Sequence, residues 1–332
     1  MRMWVDPAKA PISRALGFGY SSNEDKGAVL VPLAGSGARC QFPLGLTGKK
    51  AVVVLSDYFL ITDISLYGRI VGVADTYMRW MFIIRNPSAT PPTEVDVWAG
   101  VDNAYTILLG GTSTSDPQLD IYRSQTLLGS YDVGSADDLN IRIEVIGTAL
   151  RAKAWAYGTT EPTSWQVSVT DSTYSSGLLG WGAMCSGQED KYIDCYPFGI
   201  DLGGTSPPTA GGLATISGRV TLAGTPVEGG TVIVVRDGYD FSEPGIPGID
   251  FAKATTDSDG NYTINLDCDT GPYLIMARYA SGSDVFKGAA VADPGDSGVD
   301  MDVRPGRITR AKYKDTWYTQ IWDQQGGVWV SR

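Results

Sequence analysis

The chain has 332 residues and a formal net charge of −11 at pH 7, from 26 Lys and Arg against 37 Asp and Glu. This charge argues against a nucleic-acid-binding protein, because such proteins neutralise phosphates with Lys and Arg. The 41 Gly, 18 Pro, 17 Tyr and 9 Trp favour many short strands over long helices. The length exceeds the roughly 250 residues at which a single core stops growing, so we expect two domains.

The first 34 residues are predicted to form an N-terminal arm. Residues 1–7 lack the apolar core and the cleavage site of a secretory signal. No apolar run in the chain approaches the ~20 residues that a bilayer crossing needs. We therefore expect synthesis in a cytoplasm without membrane insertion.

Residues 35–203 show the period-two alternation of half-buried strands. In the clearest example Leu139 and Ile141 fall on one face, whereas Asn140 and Arg142 fall on the other. A turn at Gly147 predicts a hairpin with the next strand. The strand candidates are 51–55, 59–72, 77–84, 94–99, 105–109, 119–122, 139–145, 150–155 and 165–169. About ten antiparallel strands predict an all-β sandwich of two sheets.

A Pro/Gly/Ser/Thr-rich segment at 204–213 is typical of a linker that cannot pack a core. Residues 214–303 follow it with four strand candidates, 214–222, 230–236, 261–266 and 273–279, which predict a smaller β-sandwich of the immunoglobulin-like or transthyretin-like kind. Residues 304–332 form a basic, Trp-rich tail that contains six basic and two acidic residues.

Two segments in the first domain carry a family resemblance. Residues 150–167 and 170–182, with Trp155 and Trp165 flanking a Gly/Pro loop, resemble the C-terminal half of concanavalin-A-like, laminin-G-like jelly rolls. The resemblance covers about residues 35–202 and implies a jelly-roll sandwich. Such domains occur in bacterial surface proteins and phage tail proteins, and many bind glycans. We expect both tryptophans to be core residues.

The second domain and the tail carry two further resemblances. Residues 216–232 and 256–262 look like carboxypeptidase-regulatory-like or collagen-adhesin-B-like modules, which usually act as spacers. Residues 312–330 are similar to Trp-bearing segments that end many phage tail and virion proteins. This similarity implies that Trp317, Trp322 and Trp329 dock the chain into a virion.

The catalytic chemistry that the sequence can support is restricted by the absence of histidine. Without an imidazole a Ser–His–Asp arrangement cannot be built. Jelly-roll glycosidases need paired carboxylates in a Glu-x-Asp-x-Glu pattern, and this chain offers Glu94, Asp96 and then Trp98. We therefore predict that the chain is not an enzyme.

No cofactor is predicted. The four cysteines lack the paired spacing of a zinc site, and a disulfide between Cys185 and Cys195, which flank a short loop, is left open. The segment 257–261 resembles half of a calcium loop but is better explained as a hairpin turn. A structural calcium elsewhere on the sandwich stays open, and no metal ligands are assigned.

Aromatic residues offer the best candidates for a binding surface, because their faces stack on the apolar faces of sugars. Trp98 occupies the position of the missing carboxylate, although packing in the core is an alternative for it. The further candidate stackers on the same sheet or its rim are Trp80, Tyr105 and Tyr122.

Together these features predict a virion protein of a phage tail or tail tip, a minor tail protein that displays a lectin-like domain for weak multivalent attachment to host-surface glycan. A capsid decoration or purely structural virion protein without a receptor is the alternative, and a glycoside hydrolase is disfavoured. The expected partners are other virion proteins and a host glycan, with several copies or a homo-oligomer of this chain and no nucleic acid.

Overall fold

The computed structural model describes residues 2–5, 29–32, 38–42, 49–55, 61–74, 78–87, 95–96, 100–112, 115–185, 191–204, 206–237, 248–249, 251–281, 284–305, 310–313, 316–321 and 328–331. Every regular element among them is a β-strand. Accordingly, these residues include no helix that could span a membrane. The chain forms two compact units, residues 5–209 and residues 1–4 with 210–332.

Seventeen of the described strands lie before residue 203. They are β1 (Arg2–Val5), β2 (Val29–Pro32), β3 (Ala38–Phe42), β4 (Lys49–Leu55), β5 (Ile64–Val71), β6 (Met78–Asn86), β7 (Val95–Asp96), β8 (Gly100–Val101), β9 (Tyr105–Thr112), β10 (Ser115–Arg123), β11 (Thr126–Asp132), β12 (Asp138–Ile146), β13 (Ala149–Ala156), β14 (Val167–Thr170), β15 (Leu178–Cys185), β16 (Lys191–Cys195) and β17 (Phe198–Leu202).

Two large antiparallel sheets, together with the two-stranded sheet β7-β8, make up the described part of the first unit. The first sheet runs in the order β14-β13-β12-β5-β16-β3-β2, with β17 also paired to β5, and the second sheet runs β11-β10-β9-β6-β15-β4. The predicted hairpin is confirmed, since β12 and β13 pair from Leu139↔Ala156 to Ile146↔Ala149 around Gly147, whose φ is +56°. The fold class predicted from the sequence, an antiparallel jelly-roll sandwich, is confirmed.

Aromatic rings hold the two sheets together. Phe198 on the first sheet meets Trp181 and Phe82 on the second sheet edge to face, with ring centroids 4.9 and 6.0 Å apart. Leu139 and Ile141 are buried as the alternation predicts. These residues place the core between the sheets and leave alternate side chains of each strand on the outer faces.

The loops at one end of this sandwich converge on Arg85. Its buried guanidinium donates hydrogen bonds to the carbonyl oxygens of Thr62, Gly147 and Tyr174. Arg85 has a φ of 58°, which is uncommon for a residue other than glycine. Burial lowers the pKa of Arg85 from its ordinary value. The side chain therefore joins three loops through one cation.

A second, smaller apolar cluster covers part of the outer face of the second sheet. Met81 and Ile83 of β6 and Leu108 of β9 form it together with Val101, Ala104, Tyr122 and Met184. Part of the second sheet is thus covered on both faces.

The remaining strands belong to the second unit. They are β18 (Ala214–Leu222), β19 (Thr225–Pro226), β20 (Thr231–Arg236), β21 (Phe251–Thr255), β22 (Asn261–Leu266), β23 (Tyr273–Ser281), β24 (Asp284–Ala292), β25 (Met301–Asp302), β26 (Arg304–Pro305), β27 (Arg310–Tyr313), β28 (Thr316–Ile321) and β29 (Val328–Ser331).

The second unit contains a smaller β-sandwich. A sheet of β19-β18-β22, with β25 parallel to β18, packs on a sheet of β21-β20-β23-β24-β26. Ile216 and Ile264 from the first of these sheets and Val234 and Ile275 from the second share one core. A three-stranded sheet, β27-β28-β29, follows. That the smaller β-sandwich belongs to the immunoglobulin-like class stays a prediction.

The segment predicted as a hairpin turn has that structure. The Asp257 carboxylate accepts the backbone N–H groups of Asp259 and Asn261, and Gly260 has a φ of +77°. No group of three or more His, Cys, Asp or Glu in the described residues is arranged to hold a metal ion.

The cysteine pair that the sequence left open is reduced in this structure. Cys185 on the second sheet and Cys195 on the first are buried thiols, as are Cys40 and Cys268. Burial raises the pKa of Cys40 to about 12. These thiols pack as small apolar residues of the core.

Candidate functional site

Two of the aromatic residues predicted to stack on a sugar are core residues. Trp80 is 1% exposed on β6, where its ring packs edge to face on Phe82 at 6.2 Å. Tyr105 is also buried, and its hydroxyl donates a 2.7 Å hydrogen bond to the Asp171 carboxylate. The structure corrects both assignments, because neither ring offers a face to solvent.

The other predicted residues have different placements. Tyr122 belongs to the buried cluster on the outer face of the second sheet, which likewise corrects its assignment to the surface. Trp98 and Trp322 lie outside the described residues. Trp317 is in β28 and Trp329 is in β29, so both occupy the C-terminal three-stranded sheet, and their docking role stays a prediction.

A different set of side chains converges on the outer face of the first sheet. Because Leu139 and Ile141 point into the core, Asp138 and Asn140 point outward. The strand register then places Trp155, Asn140 and Arg69 side by side. The next row of the same face consists of Asp138, Val71, Asp194 and Arg39.

Arg69 is held rigidly on this face. Its Nε and Nη2 atoms donate hydrogen bonds of 2.9 and 2.7 Å to the two carboxylate oxygens of Asp138. The guanidinium carbon lies 3.6 Å from the ring centroid of Tyr157 and 4.3 Å from that of Tyr196. A bidentate ion pair and two ring contacts together fix the orientation of the cation.

Arg39 repeats the arrangement on the neighbouring strands. Its Nε and Nη2 atoms donate hydrogen bonds of 2.7 and 2.8 Å to the Asp194 carboxylate, and its guanidinium carbon lies 3.8 Å from the ring centroid of Tyr192. β3 and β16 bring the pair together through the register Asp194↔Arg39. Two similar Arg–Asp–Tyr units therefore lie next to one another.

These seven residues are called the tyrosine–arginine platform. They are Arg39, Arg69, Asp138, Tyr157, Tyr192, Asp194 and Tyr196. Two of the rings are well exposed, Tyr157 at 53% and Tyr192 at 48%. The platform thus presents flat aromatic surface beside oriented hydrogen-bonding groups.

The platform continues into a more covered region of the same face. The rings of Tyr67 and Trp155 are 6.1 Å apart, and the Tyr67 hydroxyl donates to the Asn140 side-chain oxygen at 3.0 Å. Beyond them, Lys153 donates to the Pro162 carbonyl and pairs with Glu161 at 2.8 Å, so the loop after β13 closes over this end. The open end is the one that carries the exposed tyrosines.

Three groups on this face have a raised pKa. The hydrogen bond to Asp194 raises the pKa of Arg39, and the hydrogen bond to Asp138 raises the pKa of Arg69. Burial raises the pKa of Tyr67. None of these three groups titrates near neutral pH, so none of them can serve there as a general acid or base.

None of the platform residues was identified from the sequence. One signal was available, since Tyr67 and Arg69 have the same parity within the predicted strand 59–72 and Asn140 has the outward parity of its own strand. Parity assigns a face to each residue but does not show which strands are neighbours.

No family model matches the chain, and no curated protein matches it. Among solved structures the chain is similar to a legume lectin-like domain from Entamoeba histolytica, with 11% identity, a TM-score of 0.41 and coverage of 53% of this chain and 88% of that one. It is also similar to the VIP36 exoplasmic/lumenal domain in its Ca²⁺/Man-bound form, with 11% identity and a TM-score of 0.41. That match covers 61% of this chain and 93% of the VIP36 domain. A third similar structure is a protein of unknown function with a galectin-like fold from Bacillus subtilis, with 8% identity and a TM-score of 0.40. That match covers 55% of this chain and 89% of the other.

Proposed function

We propose that the chain is a non-enzymatic surface protein that attaches weakly to neutral glycans through the tyrosine–arginine platform. The observation that carries the proposal is the pair of exposed rings, Tyr157 and Tyr192, each stacked against an arginine that a carboxylate holds in place. A sugar ring has apolar C–H faces that stack on aromatic rings and hydroxyl groups that hydrogen-bond to carboxylate and guanidinium edges.

The charge balance of the platform favours a neutral ligand. Arg39 and Arg69 are each paired through two hydrogen bonds with a carboxylate, so two cations are matched by two anions. A uronic acid or phosphate group would have to displace Asp138 or Asp194 from its arginine. Neutral hexoses need no such displacement.

The wider setting that we propose is a phage tail or tail tip. It is supported by the resemblance of the first unit to jelly rolls of phage tail proteins and by the Trp-bearing segment at the C-terminus. In this setting the second sandwich is a spacer and many copies face one surface. Individually weak sites would then gain about 10²- to 10⁴-fold in avidity.

The test uses the full chain, coupled in many copies to beads, on an array that carries neutral and anionic glycans. We expect binding to unsubstituted hexose polymers and a loss of about tenfold in apparent affinity for Tyr157→Ala combined with Tyr192→Ala, because two stacking surfaces are removed. Tyr131→Ala is the matched control, since Tyr131 is 41% exposed on β11 of the other sheet.

Each other outcome has a definite meaning. Absence of binding to every glycan would contradict the proposal and favour the structural role without a receptor. Binding that survives the double substitution would place the site away from the platform. Preference for uronic-acid or phosphate-bearing glycans would contradict the choice of a neutral ligand while preserving glycan binding.

A further inference from the structure

The outer face of the five-stranded sheet in the second sandwich carries an unusual row of charges. Tyr273, Ile275 and Ala277 of β23 point into the core, so Met276 and Arg278 point outward. The register places Arg278 opposite Lys287 of β24, and Lys287 opposite Arg304 of β26. Three cations are therefore neighbours on three adjacent strands.

The three side chains of this row carry like charges at close spacing. Directly opposed residues of antiparallel strands have Cβ atoms about 4.5–5.5 Å apart, and like charges at this spacing destabilise the sheet. The Arg304 side chain is 78% exposed, and its only ion pair among those found in the described residues is a long one, 3.5 Å to Asp302.

Apolar side chains flank the cationic row. Ile233 and Met276 occupy the next row of the same face, and Ile233 and Val285 are both exposed although they are large and apolar. Met276 is partly buried and Arg278 is exposed, and Met and Arg are both enriched at protein–protein interfaces. We call the surface of Ile233, Met276, Arg278, Lys287 and Arg304 the basic face.

A group of acidic residues lies beside the other sheet of the same sandwich. Residues 293–300 contain Asp293, Asp296 and Asp300 and no Lys or Arg. This acidic arm runs beside β18, where backbone hydrogen bonds join Ser217 to Asp296 and Val299 to Ser217. The basic face and the acidic arm thus belong to different sheets of one domain.

We infer that the second sandwich binds a second copy of this chain head to tail, with the basic face of one copy on the acidic arm of the next. The charges are complementary, and every copy carries both halves, so no other component is needed. A contact between two different patches is heterologous and builds rings or filaments instead of closed two-fold dimers. This inference does not depend on the glycan-binding proposal.

Sedimentation of the full chain tests the inference. We expect concentration-dependent assembly at about 0.02 M salt that is lost at about 1 M salt, where the Debye length falls to roughly 3 Å. Arg278→Glu on the face, or Asp296→Lys on the arm, should each weaken assembly by about tenfold or more, because like charges would then meet. Arg151→Glu, on the first sandwich, is the control of equal charge change.

Mixing the two variants gives the sharpest result. The Arg278→Glu chain keeps an intact arm and the Asp296→Lys chain keeps an intact face. Their two substituted patches also carry opposite charges at the changed positions, so the mixture should regain the assembly that each variant alone has lost. The combined Arg278→Glu and Asp296→Lys chain should assemble with itself again, which also shows that both variants fold. A chain that is monomeric at every salt concentration, assembly that neither variant weakens, or variants that do not complement each other would overturn the inference.

Discussion

A small network of polar residues explains why Tyr105 is buried with its hydroxyl satisfied. The Asp171 carboxylate accepts hydrogen bonds from the Tyr105 hydroxyl at 2.7 Å and from the Thr173 backbone at 2.9 Å, and it pairs with Arg123 at 2.8 Å. Tyr174 packs on Tyr105 edge to face. A residue predicted as a ligand contact is therefore a structural residue.

This network makes part of the stability of the first unit dependent on pH. Partial burial acts to raise the pKa of Asp171, but hydrogen bonds from Thr173 and Tyr105 and the charge of Arg123 outweigh it, so the pKa of Asp171 is lowered in the fold. A lowered pKa stabilises the fold above the unfolded value of about 3.9, and the contribution is lost as the pH falls through the lower folded value.

We accordingly expect Asp171→Asn to destabilise the protein at pH 7 and to make little difference at about pH 2. Urea unfolding at a series of pH values measures both. An equal destabilisation at both pH values would show that the carboxylate charge contributes nothing.

At the scale of elements, β17 joins the two sheets of the first sandwich. The Phe198 ring is the part of β17 that lies between Trp181 and Phe82, and it is fully buried. Removal of this ring would leave a cavity between Trp181 and Phe82. The strand therefore contributes more to the sandwich than its length of five residues indicates.

Phe198→Ala should reduce the free energy of unfolding by about 3–5 kcal/mol, the usual effect of a large cavity. Leu127→Ala is the comparison, because Leu127 is exposed on β11 and should cost less than about 0.5 kcal/mol. Urea unfolding monitored by fluorescence measures both, and similar values for the two variants would show that Phe198 is not essential to sheet packing.

The sequence predicts elements well where the signal is local. The β12–β13 hairpin follows from strict alternation and one glycine turn. Trp80 could not be placed in the same way, because β6 is buried along its whole length and alternation is absent. The platform could not be predicted from the sequence either, because the pairing of β5 with β16 joins segments that are distant in the chain.

At the scale of the whole molecule, each of the two units has its own core. Ile143 belongs to the interior of the first sandwich, whereas Ile264 belongs to the core of the second. The division between Thr209 and Ala210 lies within the Pro/Gly-rich segment at 204–213. A core that is complete in each unit is the usual condition for independent folding.

We therefore expect two unfolding transitions in calorimetry of the full chain. Ile143→Ala should lower the Tm of one transition and Ile264→Ala that of the other, because each substitution reduces the unfolding free energy of its unit by about 2–5 kcal/mol. A single transition that both substitutions lower would show that the two units unfold as one.

The alternation of inward and outward side chains in the first sheet affects how its binding surface can change during evolution. Along β12 the residues that build the core and the residues that face outward strictly alternate, and Arg69 and Asp194 occupy outward positions on their own strands. Substitutions at outward positions leave the packing between the sheets untouched. The same backbone can therefore acquire new recognition surfaces through substitutions that do not impair folding.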